Sequence, residues 1–270
     1  MNNILSIKIR LLAVTTVALG LLLFALPASA ATVSPDDLSA GDLIRGESFS
    51  AVYYYGEDGM RYVFPNDKTY FTWYENFDDV VWLTDSDMST IQIGGNVTYK
   101  PGVRMIKINS DPTVYAVAAG GELRGIDSEE IAIELYGSNW NTMIDDVPDG
   151  FFSNYSIGSR LEFAGQFSVE TEQLDAMDIN DDKNLRPATE ISVTDSGYDQ
   201  PTTTISSGTA VRFTNTGSED HAVSEFDGLW GSGTMNPGNH FTHYFNETGT
   251  WIYYSKLDDR NVFEGAIIVN

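Results

Sequence analysis

Gly249-Thr-Trp-Ile-Tyr-Tyr254, then Ser255, then Gly265-Ala-Ile-Ile-Val269, is the stretch that decides the fold. Both segments are short, rich in β-branched and aromatic residues, and bounded by glycine, which is the signature of strands. Working outward, the same pattern recurs at Ile191 to Val193, Thr203 to Ile205, Ala210 to Asn215, Ala222 to Val223 and His240 to Phe245, with turn residues between and no helical period. Strands at this spacing predict a β-sandwich over residues 188–270.

Six blocks in this region carry a sharper likeness. They are Ser196-Gly197-Tyr198, Gly208 to Asn215, Asp220-His221-Ala-Val223, Pro237-Gly238 with Phe241 and Phe245, Gly249 to Tyr254, and Gly265 to Val269. In this order they resemble the plastocyanin-like cupredoxins, and the resemblance implies a Greek-key sandwich. In that family a type 1 copper ion is held by a histidine, a cysteine thiolate, a second histidine and usually a methionine. His221 matches the first ligand. The thiolate position falls on Ser255, the second histidine on Asp258 and the methionine on Phe263. A serine hydroxyl stays protonated near neutral pH and cannot replace a thiolate, so the resemblance implies a degenerate copper site. His221 and Asp258, with Asp259 nearby, remain candidate ligands for a weakly held divalent cation. His240 and His243 stand three apart on one strand and are expected on opposite faces. No cofactor is expected; copper or another divalent ion is the alternative.

The amino terminus reads as an export signal. Lys8 and Arg10 precede the apolar run Leu11 to Leu26, and Ala28-Ser29-Ala30 supplies small residues for cleavage after Ala30. No second run of spanning length follows, so no transmembrane segment is expected after cleavage. The expected location is secreted or cell-surface. The chain has no cysteine, which excludes disulfides and thiol chemistry. Its net charge is −24, and losing Lys8 and Arg10 with the leader would make it −26. Such a surface repels nucleic acid. A cell-envelope or extracellular protein or glycan is the partner class left open.

Residues 43 to 158 read as one unit written twice. Leu43-Ile44-Arg45 is echoed by Met105-Ile106-Lys107, Val52-Tyr53 by Val114-Tyr115, Tyr74 by Tyr136, Phe77 by Trp140 and Ile93-Gly94 by Ile157-Gly158, at offsets of 62 to 64 residues. Each unit predicts a hairpin followed by a short helix, Lys68 to Tyr74 or Glu129 to Tyr136, with Asp67 or Ser128 at the N-cap. This half is similar to short repeats of bacterial surface proteins. The expected organisation is a leader over 1–30, a tandem-repeat α+β domain over 31–165 (repeats about 43–104 and 105–165), an acidic linker over 166–187, and the sandwich over 188–270.

Asp178, Asn180, Asp182 and Asn184 alternate like a calcium loop, but Lys183 and Thr189 stand where glycine and glutamate are needed. The repeats contain no histidine, and the chain has neither a Gly-x-Ser-x-Gly elbow nor a phosphate-cradling glycine loop. The sequence therefore reads as a mainly β, exported, non-catalytic protein with an interaction or structural role. The alternative is a copper-binding electron-transfer protein with an atypical site. Trp230, in the loop Asp227 to Gly233, is the aromatic residue best placed for an exposed contact.

Overall fold

The computed structural model describes residues 32–270, and the leader assigned from the sequence lies outside them. After a 3-10 turn at Pro35–Asp37 the chain forms β1 (Leu43–Gly46), β2 (Tyr53–Tyr55), β3 (Arg61–Val63), α1 (Asp67–Trp73), β4 (Val80–Leu83), α2 (Asp85–Thr90) and β5 (Ile93–Asn96). It continues with β6 (Met105–Ile108), β7 (Asp111–Ala118), β8 (Glu122–Gly125), α3 (Glu129–Tyr136), β9 (Ile144–Val147), α4 (Asp149–Phe152) and β10 (Ser156–Ile157). Each set forms one five-stranded sheet, in the orders β4-β1-β2-β3-β5 and β9-β6-β7-β8-β10. The two orders are equivalent, element for element. In both, the three central strands form an antiparallel meander and the two outer strands join it in parallel.

The helices start where the sequence places them, with one shift. Ser128 caps α3 by accepting from the Ile131 N–H, but α1 is capped by Asn66, not Asp67, through the Thr69 N–H at 2.9 Å. Asn66 has the extended backbone that an N-cap needs, while Asp67 already lies in the helix and favours its positive end.

The acidic stretch expected to be a linker is folded. It forms α5 (Val169–Asp175) and α6 (Ile179–Lys183), and Ala176, Ile179 and Leu185 are buried. The calcium-like polar positions serve as braces to the repeats. Asn180 Oδ1 accepts from the Glu57 N–H at 2.9 Å. Asp182 accepts from the Thr98 hydroxyl at 3.1 Å and the Gly120 N–H at 2.9 Å. Ala176 and Ile179, one turn apart, and Leu185 beyond α6 give the segment a buried side that its overall charge conceals.

The last eighty residues form two facing sheets. One contains β11 (Thr189–Thr194), β12 (Gly197–Tyr198), β14 (Thr209–Asn215) and β17 (His240–Phe245), in the order β12-β11-β14-β17. The other contains β13 (Thr202–Ile205), β15 (His221–Glu225), β16 (Gly231–Met235), β18 (Gly249–Tyr254) and β19 (Glu264–Val269), in the order β13-β19-β18-β15-β16. Ile191, Val193, Val211 and Phe213 point inward from the first sheet, and Val223, Tyr253, Ile267 and Val269 from the second. The alternate burial along β11 and β19 is what a sandwich requires, while all five residues of β15 are buried.

The repeats and the sandwich belong to one compact unit, Thr32–Asn270. The β2–β3 turn reaches the sandwich at Asp58, whose carbonyl accepts from Arg212 Nη2 at 2.6 Å. Gly59 is required there: its φ is +70°, and a Cβ atom would lie 1.4 Å from the same guanidinium nitrogen. Gln92 covers the free edge of β17. Its amide donates to the Thr242 carbonyl and accepts from the Thr242 N–H, both at 2.9 Å. An uncovered edge would leave both groups to water or to another chain. Gln92→Ala is expected to cost about 1–2 kcal/mol, the worth of two such bonds, read as a lowered urea midpoint with an unchanged slope.

Candidate functional site

His221 opens β15, and the loop before it is tied down by Asn215 at the end of β14. The Asn215 amide donates to the Glu219 and Met235 carbonyls, each at 2.8 Å, and its oxygen accepts from the Gly217 N–H at 2.9 Å. The imidazole is thereby held inside the end of the sandwich, with its side chain 2% exposed.

The structure brings His221, Ser255, Asp258 and Phe263 together. His221 Nδ1 lies 3.0 Å from Asp258 Oδ2. The Ser255 hydroxyl donates to the same carboxylate oxygen at 2.5 Å, and accepts from the Ala222 and Leu257 N–H groups at 3.3 and 3.2 Å. Phe263 stacks on the imidazole with ring centroids 5.1 Å apart and planes 28° apart.

Asp195 completes the cluster and was not singled out from the sequence. It lies in the turn between β11 and β12, and its Oδ1 is 3.1 Å from His221 Nε2. Asp195 also accepts from the Ser218 N–H and hydroxyl and from the Glu219 N–H. Asp259, by contrast, turns away and accepts from the Asn261 N–H and side-chain amide. The signal for Asp195 is its place one residue before the Ser196-Gly197-Tyr198 block; its distance from His221 along the chain hides the pairing.

Both ring nitrogens of His221 face carboxylate oxygens. A neutral imidazole has one N–H and would present a lone pair to one of them, so the geometry calls for the imidazolium. Burial opposes that charge, yet the hydrogen bonds and charges of Asp258 and Asp195 outweigh it and hold the pKa above its ordinary value. Asp195 is held well below the usual carboxylate range, chiefly by the Ser218 N–H and hydroxyl, then by the Glu219 N–H and His221.

A type 1 copper ion does not fit this set of residues. No thiolate is present, and the Ser255 hydroxyl has its hydrogen-bonding capacity already used. The two nitrogens of His221 point away from each other, each onto a carboxylate, so Asp195, His221 and Asp258 do not converge on one point. Among the described residues no group of three His, Cys, Asp or Glu side chains is placed to hold a metal ion.

The other two histidines are apart from this cluster. His243 stacks on Trp230 at 4.8 Å, and burial lowers the pKa of both His243 and His240. Trp230 is not the exposed contact that its loop suggested. It packs against the sandwich core, stacked on Phe213 at 6.2 Å and edge-on to Phe245 at 5.5 Å. Glu225 accepts from the Asp227 and Leu229 N–H groups and so folds the loop inward, and β16 begins at Gly231, within the stretch read as a loop.

No family model matches the chain, and no curated protein matches it. Solved structures do. A purple cupredoxin from Nitrosopumilus maritimus is 25% identical, over 30% of this chain and 99% of its own, with a TM-score of 0.28. Two amicyanin variants, one reduced and one oxidised, are each 19% identical over 31% of this chain and 82% of theirs, with a TM-score of 0.29. No helix among the described residues is long and apolar enough to cross a membrane.

Proposed function

We propose that the chain is an exported, non-catalytic surface or secreted protein, in which a cupredoxin-like sandwich without a type 1 copper site serves a structural or interaction role beside the two repeats. The observation that carries this reading is the occupation of both His221 nitrogens by carboxylates. Where a metal would need an open imidazole nitrogen and a thiolate, this chain has a closed ionic cluster. The cluster clamps three segments of the sandwich: the β11–β12 turn, the start of β15 and the loop after β18. The leader, the surface charge and the repeats support the location and the role.

The alternative, an electron-transfer protein with an atypical copper site, is separated by a titration. Copper added to the purified chain is expected to produce no intense visible absorption band and no tight one-to-one binding. A blue or purple stoichiometric complex would establish the alternative instead. Fractionation of the producing cells tests the location independently, with recovery in the envelope or medium as the expected result.

A further inference from the structure

The two repeats carry the same groove. In the first, a cavity of about 490 Å³ is bordered by Val52 at the entry to β2, by Asn66 and Asp67 at the start of α1, by Tyr70, and by Phe77 beyond the helix. In the second, a cavity of about 240 Å³ is bordered by Val114, Ser128 and Glu129, Ala132, and Trp140. These residues correspond one to one in the duplication, at offsets of 62 or 63. Asn96 at the end of β5 and Arg160 beyond β10 close the equivalent ends. The core sides of the units have diverged, with Tyr70 in the first where the second has Ala132, yet each groove keeps a carboxylate, a polar cap residue and a large aromatic.

That aromatic is displayed in both. Phe77 is 47% exposed and rests on Tyr70, stacked at 4.3 Å, and Trp140 is half-buried. A large aromatic left partly in water beside hydrogen-bonding groups costs solvation without adding core, and is the usual composition of a ligand site.

We propose that the repeats bind an uncharged glycan strand, one sugar unit per groove, with the C–H face of a pyranose ring on Phe77 or Trp140 and its hydroxyls on the Asp67 or Glu129 side of each groove. The chemistry of the lining selects this class. The first groove has no basic residue, and Arg160 of the second is paired with Asp127, so a polyanion finds no free cation and meets a strongly negative chain. Two equivalent sites on one chain suit a polymer with a repeating unit, since the second contact is intramolecular and retention rises 10²–10⁴-fold over one site. The proposal rests on the reading of the chain as an interaction protein and names the partner class for it.

The test is calorimetric titration of the full chain with chitotetraose, cellotetraose and mannotetraose, and retention on the matching insoluble polymer. Two equivalents of at least one of these tetrasaccharides are expected to bind. Phe77→Ala and Trp140→Ala should each remove one equivalent and lower polymer retention at least tenfold, and the double variant should bind neither form. Thr113→Tyr, which fills the second groove and keeps Trp140, should match Trp140→Ala; its unaltered thermal transition shows that folding is not the cause. No binding to any of the three, one equivalent in the unaltered chain, retention unchanged in the double variant, or binding only to polygalacturonate would each overturn the proposal. Location in the envelope or medium without glycan binding would leave the broader reading standing and remove this one.

Discussion

Asp58→Ala is expected to destabilise the folded chain by about 4 kcal/mol, within the range for breaking a buried polar network. Asp58 is fully buried. Its carboxylate accepts from the Tyr62 hydroxyl at 2.5 Å, the Tyr244 hydroxyl at 2.8 Å and the Met60 N–H at 3.1 Å. Tyr62 belongs to the first repeat and Tyr244 to the sandwich, so one side chain satisfies donors from both. Alanine leaves the half-buried Tyr244 phenol, the buried Tyr62 phenol and the buried Met60 amide without their acceptor, at about 1–3 kcal/mol for each unsatisfied buried group before relaxation. The melting temperature should fall by roughly 8–16 °C at 2–4 °C per kcal/mol for a chain of this size. Asp58→Asn retains one acceptor oxygen and should lose less than half as much. Calorimetry of the three proteins decides it: an alanine variant that melts within 3 °C of the parent would refute the network's role.

Asp258→Ala is expected to cost about 3 kcal/mol near pH 6, since it leaves His221 Nδ1 and the Ser255 hydroxyl without their acceptor in a buried place. The pH dependence carries the sharper signature. His221 has a folded pKa above its unfolded value of about 6.5, so the unfolded chain releases its proton first as pH rises. The stability from the cluster is therefore complete below about pH 6.5 and is lost as pH climbs through the folded pKa. Asp195 acts in the opposite sense: its folded pKa is depressed, so its contribution is present above the ordinary carboxylate range and is lost as pH falls through the folded value. Urea unfolding from pH 5 to 9 should show a decline on the alkaline side that His221→Gln flattens. An identical alkaline decline in His221→Gln would show that another group governs it.

The strand pattern from Ile191 to Val269 and the doubling of the first half were readable along the chain. Each is a local property: alternation within a strand, a repeat at near-constant offset. Only the folded chain decided what surrounds His221. Asp195 and His221 are 26 residues apart and meet because β11 lies in parallel beside β14, which delivers the loop that leads into His221. The acidic stretch before the sandwich misled for a related reason. Its charges advertise solvent, while the few apolar residues that bury it, such as Ile179 and Leu185, gain their worth from partners elsewhere in sequence. The same holds for Asp58, a turn residue by its neighbours and a buried acceptor by its position. Sequence specifies the donors and acceptors a residue owns; which of them are withdrawn from water, and so become costly to leave unpaired, is set by the packing of distant elements.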